Sequence, residues 1–116
     1  MQYMLLIYDD ETTRAAMTDD ERNAFMGGYF QFSTDLREAG AFIAGDGLQG
    51  VATATSVRVR DGQRLVTDGP FAETKEKLGG YYLIEADSLD EALAWAAKIP
   101  SAMSGTIEVR PVAVYS

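Results

Sequence analysis

Gly80-Tyr81-Tyr82-Leu83-Ile84-Glu85-Ala86-Asp87-Ser88-Leu89-Asp90-Glu91-Ala92-Leu93-Ala94-Trp95-Ala96-Ala97 is the stretch that decides the fold. Its first seven residues predict a strand with Tyr82 and Ile84 on one face and Tyr81 and Leu83 on the other. Both faces are apolar, which is the pattern of a central strand covered on both sides. Ser88-Leu89-Asp90-Glu91 then has the spacing of a capping box, with Ser88 accepting from the backbone and Glu91 reaching back. Leu89, Ala92, Leu93, Ala96 and Ala97 recur at helical spacing and predict the helix's inner side. Trp95 falls beside that stripe and fits an interface, a pocket rim or partial core burial. Pro100 closes the helix. Thr106 to Val112 follows as a last strand, where Ile107 and Val109 alternate with Glu108 and Arg110, and Pro111 fits an edge.

Moving toward the N-terminus, the same plan occurs once more. Tyr3 to Tyr8 predicts a second strand apolar on both faces, with Tyr3, Leu5 and Ile7 opposite Met4, Leu6 and Tyr8. Thr18-Asp19-Asp20-Glu21 is another capping box, and Phe25, Tyr29, Phe32 and Leu36 form one helical stripe that ends at Gly40. Gly27-Gly28 costs the helix propensity, about 1 kcal/mol per glycine, and fits close helix-to-sheet packing or, as the less expected alternative, a ligand approaching the backbone. Ala41 to Gly47 predicts a short strand. Thr55 to Arg60 and Arg64 to Thr67 predict a hairpin around Asp61-Gly62, with a three-residue loop setting Val59 opposite Leu65. The order is β-α-β, hairpin insertion, β-α-β, which is the α+β, ferredoxin-like plan of two helices on an antiparallel sheet. Helices cover one sheet face only, yet two strands are apolar on both. A homodimer with two sheets face to face, as in dimeric α/β barrels, is therefore expected.

Composition narrows function mainly by exclusion. The 116 residues fit a single domain spanning 1–116, and 47% of them are apolar. There is no cysteine, so a disulfide framework, a thiol nucleophile and thiolate metal sites are excluded; a cytoplasmic location fits. There is no histidine either, which removes imidazole acid–base chemistry, Ser-His pairs and ordinary zinc or haem ligation. The net charge of −8, with scattered basic residues, disfavours direct nucleic-acid binding. The apolar start is too short to span a membrane and lacks a basic leader, so it is read as a strand. Asp9, Asp10 and Glu11 are read as a solvated loop, since three adjacent acids rarely converge on one ion, and no metal site or cofactor is expected.

The segment Thr67-Asp68-Gly69-Pro70-Phe71-Ala72-Glu73-Thr74-Lys75-Glu76 joins the hairpin to Gly79-Gly80. Locally, Asp68 suits an Asx-turn, Gly69 unusual dihedrals and Pro70 a fixed φ, while Phe71 could anchor the loop in the core. Glu73 and Lys77 could pair on a short exposed helix. The run Asp-Gly-Pro-Phe-Ala-Glu-Thr-Lys-Glu resembles the signature of the YCII-related (DGPF-type, YciI-like) proteins. The resemblance extends to Met4-Leu5-Leu6-Ile7-Tyr8, to Gly79 through Ile84 with Leu89-Asp90-Glu91-Ala92, and to Thr106 through Pro111, so it covers essentially the whole chain.

This resemblance implies a ferredoxin-like protomer in a dimeric α/β barrel, with a pocket near the dimer-facing sheet. A His–Asp pair is proposed as catalytic in the YciI-like branch. With no histidine here, only the acid has a counterpart, Asp68, by motif position. Asp68 is thus a candidate acid or base for lyase-, isomerase- or hydrolase-like chemistry, against its plainer role as a turn cap. Tyr8 and Tyr82 are candidate hydroxyls for a small-molecule pocket, with Phe71, Glu73 and Lys75 beside it; Lys75 suits an anionic ligand, against the plainer reading of Glu73 and Lys75 as solvated loop charges. Family members are often encoded beside extracytoplasmic-function sigma factors. A noncatalytic ligand-binding or protein-interaction module linked to sigma-factor regulation is the competing implication.

Overall fold

The computed structural model describes residues 1–115. Strand β1 (Gln2–Asp9) leads through a short helix, α1 (Glu11–Ala15), into the long helix α2 (Asp19–Glu38) and then β2 (Phe42–Gly47). A hairpin of β3 (Thr55–Arg60) and β4 (Gln63–Asp68) follows, and then β5 (Lys77–Glu85), α3 (Leu89–Ala96) and β6 (Thr106–Pro111). Four strands form one sheet in the order β2-β5-β1-β6, with every neighbouring pair antiparallel. This α+β arrangement is compatible with the ferredoxin-like plan. The two long connections place β5 and β1 in the centre, as their two-sided apolar patterns require.

The core lies between the sheet and the helices. Tyr3, Leu5 and Ile7 of β1 and Tyr82 and Ile84 of β5 are buried against Phe32 and Leu36 of α2. Thr18 caps α2 as its spacing predicts: its hydroxyl accepts from the Glu21 amide while the Glu21 carboxylate accepts from the Thr18 amide. Gly40 ends the helix at φ +72°, the left-handed conformation that costs glycine least. On the sheet's other face Met4, Leu6 and Tyr8 are half-buried, with Leu83, Tyr81 and Leu78 as their partners on β5.

Several local expectations need correction. The hairpin turns through two residues, not three, because Asp61 (φ 51°) and Gly62 (φ 73°) both adopt the left-handed region that a two-residue loop needs. Val59 therefore faces Arg64, and Leu65 faces Arg58. In α3 the inner side is Ala92, Ala96 and the half-buried Trp95, whereas Leu89 and Leu93 are exposed. Ser88 caps that helix, but Glu91 accepts from Asp87 instead of closing the box. Gly28 is the close-packed glycine of α2, but its neighbour is Pro100, 3.1 Å from where a Cβ would sit, not the sheet. Gly27 faces open space.

The segment after β4 also departs from expectation. Phe71 is 77% exposed and lies under the Arg58 guanidinium instead of entering the core. No helix forms around Glu73, and Lys77 already belongs to β5. The turn at Gly69 (φ 99°) is held by its own amide donating to the Ala54 carbonyl and by Ser56 donating to the Gly69 carbonyl. Among the described residues the Asp68 carboxylate makes no hydrogen bond, so it does not cap the turn. The hairpin pairs only with itself and stands away from the main sheet. The radius of gyration shows this: 16.2 Å, against about 13 Å for a compact chain of this length.

Candidate functional site

The side of α2 facing β2 and β5 is where chemistry-bearing residues converge. Along this helix the stripe sinks from half-buried Phe25 and Tyr29 to fully buried Phe32 and Leu36. Beneath the shallower end lies a cavity of about 340 Å³ between α2 and the β2–β5 edge of the sheet. Phe25, Met26, Phe42 and Leu48 give it apolar walls, and Gly45, Gly47, Gly79 and Gly80 present bare backbone along the strands. Gly45 is required there: a Cβ would fall 2.6 Å from the Tyr82 ring.

The polar groups are arranged in two sets. At one wall Tyr82 shares a 2.9 Å hydrogen bond with Ser33, and its ring packs edge-on to Phe32 at 5.0 Å between centroids. At the inner end a donor chain runs from Tyr29 to Ser101 (2.6 Å) and from Ser101 to Asp9 Oδ2 (3.3 Å). Arg14 donates to the same carboxylate oxygen. Asp9 is buried, and its Oδ1 and the Arg14 Nε have no partner among the described residues. Burial pushes the Tyr29 phenol above its ordinary value of 10, and the Asp9 charge adds to the rise. Because the Ser101 hydroxyl is spent on Asp9, Tyr29 donates its own proton to Ser101. Its oxygen is then left to accept from a group in the cavity.

Three guanidiniums, of Arg14, Arg22 and Arg37, border this space. Arg14 has Asp9 as its carboxylate partner and Arg22 has Asp19, at 3.3 Å. Arg37 stacks on the Phe42 ring, 4.4 Å from its centroid, and has no carboxylate partner among the described residues. Asp46 is the one carboxylate in the lining; it accepts from the Tyr81 hydroxyl at 2.8 Å, which raises that phenol as well.

Of the residues singled out in the sequence, Tyr82 lines this cavity, whereas Tyr8, Asp68, Phe71, Glu73 and Lys75 do not. Tyr8 and Tyr82 cannot share a pocket wall, because Tyr82 lies on the helix-covered face and Tyr8 on the other. Asp68 ends β4, exposed, opposite Thr55. Nor are Asp9, Asp10 and Glu11 one solvated loop. Asp9 is buried on Arg14, Asp10 caps α1 by accepting from Thr12, and Glu11 accepts from the Val51 amide at 2.9 Å. The three carboxylates thus turn to three different partners. Sequence reasoning missed Arg22, Ser33 and Arg37. Their signal was present: Arg22, Met26, Tyr29, Ser33 and Arg37 follow one another at three- or four-residue steps, a second face beside the apolar stripe.

The fold and site define an α+β protein of two β-α-β units on an antiparallel sheet, with a mixed apolar and cationic cavity under its long helix. Comparison with known proteins places it further. The model of the YCII-related domain matches residues 1–116, and the chain belongs to the YCII-related family. It is 39% identical over 117 residues to an uncharacterized protein of Rhizobium meliloti (strain 1021), an alignment covering 99% of this chain and 94% of that protein. No described helix is long and apolar enough to cross a membrane.

Proposed function

We propose that the protein binds a small organic molecule in the cavity between α2 and the β2–β5 edge, as a cytoplasmic homodimer. One observation carries the reading: a cavity of about 340 Å³, within the range of about 300–1,000 Å³ typical of ligand sites, joins apolar walls to a few convergent polar groups. The dimer reading rests on the apolar sheet face of Met4, Leu6, Tyr8 and Leu83, which carries no helix. Acid–base work in this cavity would fall to Tyr29, which the Ser101–Asp9 chain orients. A catalytic part for Asp68 requires a ligand held outside the cavity, because its carboxylate is exposed and beyond the lining. Asp68→Asn tests that part. Unchanged cavity binding and melting are expected, and loss of turnover or ligand response would restore Asp68 as the working acid.

A thermal-shift screen of small organic molecules, with hits mapped by amide chemical shifts, tests the reading as a whole. A ligand at about 100 times its Kd adds roughly 2.7 kcal/mol. Hits that perturb Gly45, Gly79 and Tyr82 are expected. Hits confined to the open sheet face would refute the cavity.

A second reading, a protein-interaction module tied to sigma-factor regulation, is favoured by the hairpin. Val57, Val59 and Val66 are 55–63% exposed on it, and alternate residues share a face. Direct titration against a purified extracytoplasmic-function sigma factor tests this; no binding at micromolar concentration retires it.

A further inference from the structure

We infer that the occupant of the cavity is an organic carboxylate: a small anion with an apolar body whose charged end is received by Arg37. The inference rests on the cavity being a ligand site and names the chemistry of that ligand.

The charge placement carries the argument. The protein's net charge is −8, with ten lysines and arginines in all. Three of these ten border one cavity, with Asp46 as the carboxylate in its lining; Asp9 and Asp19, paired to Arg14 and Arg22, bring the local sum to 3 − 3 = 0. Within a protein of net charge −8, this neutral cleft is where an anion meets the least repulsion. The three cations are not equivalent. Arg14 is committed to Asp9 and Arg22 to Asp19, while Arg37 has no carboxylate partner among the described residues. The Arg37 guanidinium carbon lies 4.4 Å from the Phe42 ring centroid, and a guanidinium is suited to receive a planar carboxylate through two parallel N–H bonds. Asp46 does not fill that place, since its carboxylate is engaged by Tyr81 and lies outside ion-pair distance of Arg37.

The rest of the lining selects for an organic rather than an inorganic anion. Phe25, Met26, Phe42 and Leu48 would leave a bare phosphate against apolar walls, whereas they fit a hydrocarbon body. Tyr29 and the Tyr82–Ser33 pair offer hydroxyls along the wall. These suit a further polar substituent on that body.

Matched pairs of probes test this: phenylacetate against 2-phenylacetamide, and hexanoate against hexanamide, with inorganic phosphate as a third comparison. Binding is followed by amide chemical shifts on the intact protein and on Arg37→Gln. That substitution lies on the exposed last turn of α2, and its folding is checked by melting. The carboxylates are expected to bind at least tenfold tighter than their amides, to perturb Gly45 and Tyr82, and to lose about tenfold in Arg37→Gln while the amides do not. Equal binding of acid and amide, or carboxylate affinity untouched in Arg37→Gln, would overturn the carboxylate and leave the cavity standing as a ligand site. Phosphate binding tighter than either carboxylate would also overturn it. Failure of every probe to move a cavity resonance at millimolar concentration would overturn the cavity reading and this inference together.

Discussion

Asp9 and Arg14 offer the sharpest test of how the polar chain behind Tyr29 is held. Their side chains differ in burial, 8% exposed for Asp9 and 39% for Arg14, so the two halves of the pair should respond unequally to loss of the other. Breaking a fully buried pair costs about 3–5 kcal/mol, because the survivor is left charged and unpaired. Arg14→Gln leaves the more deeply buried carboxylate stranded, with only Ser101 to donate to it, and is expected to cost about 3 kcal/mol. Asp9→Asn leaves a guanidinium that can rehydrate, and about 2 kcal/mol is expected. At about 4 °C of Tm per kcal/mol for a chain of this size, the losses are about 12 °C and about 8 °C. The double variant removes both charges, so a coupling of about 1.5 kcal/mol should bring its cost to about 3.5 kcal/mol rather than the sum. Urea unfolding followed by fluorescence provides the assay, since the one tryptophan, Trp95, packs against Phe32 in the core. Additivity of the two substitutions within about 0.5 kcal/mol would show that the pair is effectively solvated. The reasoning about the inner end of the cavity would then fail.

Further outcomes follow from the same geometry. In Gly45→Ala the new methyl would lie 2.6 Å from a Tyr82 ring that is held by Ser33 and packed on Phe32. The overpacking cost should be about 1–3 kcal/mol in urea unfolding, and a loss below about 0.5 kcal/mol would mean that the ring swings freely into the cavity. Tyr29→Phe removes the 2.6 Å bond to Ser101 and should cost about 1 kcal/mol. The fold raises the Tyr29 phenol above its usual 10, so the native state holds this proton longer than the unfolded chain does. Its contribution is therefore complete below pH 10 and is lost as pH rises through the elevated native value. Wild type should weaken more steeply than Tyr29→Phe above pH 10; Tyr81, raised by Asp46, is common to both. Parallel alkaline slopes in the two proteins would contradict the assigned burial.

How far the sequence reached depended on the range of the interaction being read. Strand alternation in β1 and β5 is a local pattern imposed by the pleat, and Tyr3, Leu5, Ile7, Tyr82 and Ile84 are buried as it requires. The Thr18–Glu21 cap was equally legible, because both partners lie within one turn. Errors began where two local solutions were nearly equal. Spacing alone favours a three-residue hairpin loop, yet positive φ at both Asp61 and Gly62 closes it in two. In α3, Leu89 and Leu93 share the spacing of the buried alanines but lie on its exposed shoulder, while Trp95 reaches back to Phe32.

The site was the least legible part, and the reason is long-range. Asp9 looked like one of three solvated acids, because its partner Ser101 lies 92 positions away. Only the docking of the 3-10 turn after α3 brings the two together. Asp68 drew attention by its motif, yet it sits on an arm that pairs only with itself. Arg22 and Arg37 lie at helical spacing from Tyr29, but spacing alone cannot distinguish a cavity wall from a solvated flank. That distinction depends on how deeply each turn of α2 sits on the sheet. Phe32 and Leu36 are buried, while Phe25 is held back from the sheet, with Arg14 5.9 Å from its ring centroid. The buried end of the helix supplies the stability that lets the other end stand off. The cavity is therefore best understood as a property of the unequal stripe, not of any motif. A substitution that drew Phe25 down onto the sheet should stabilise the protein and abolish ligand binding together.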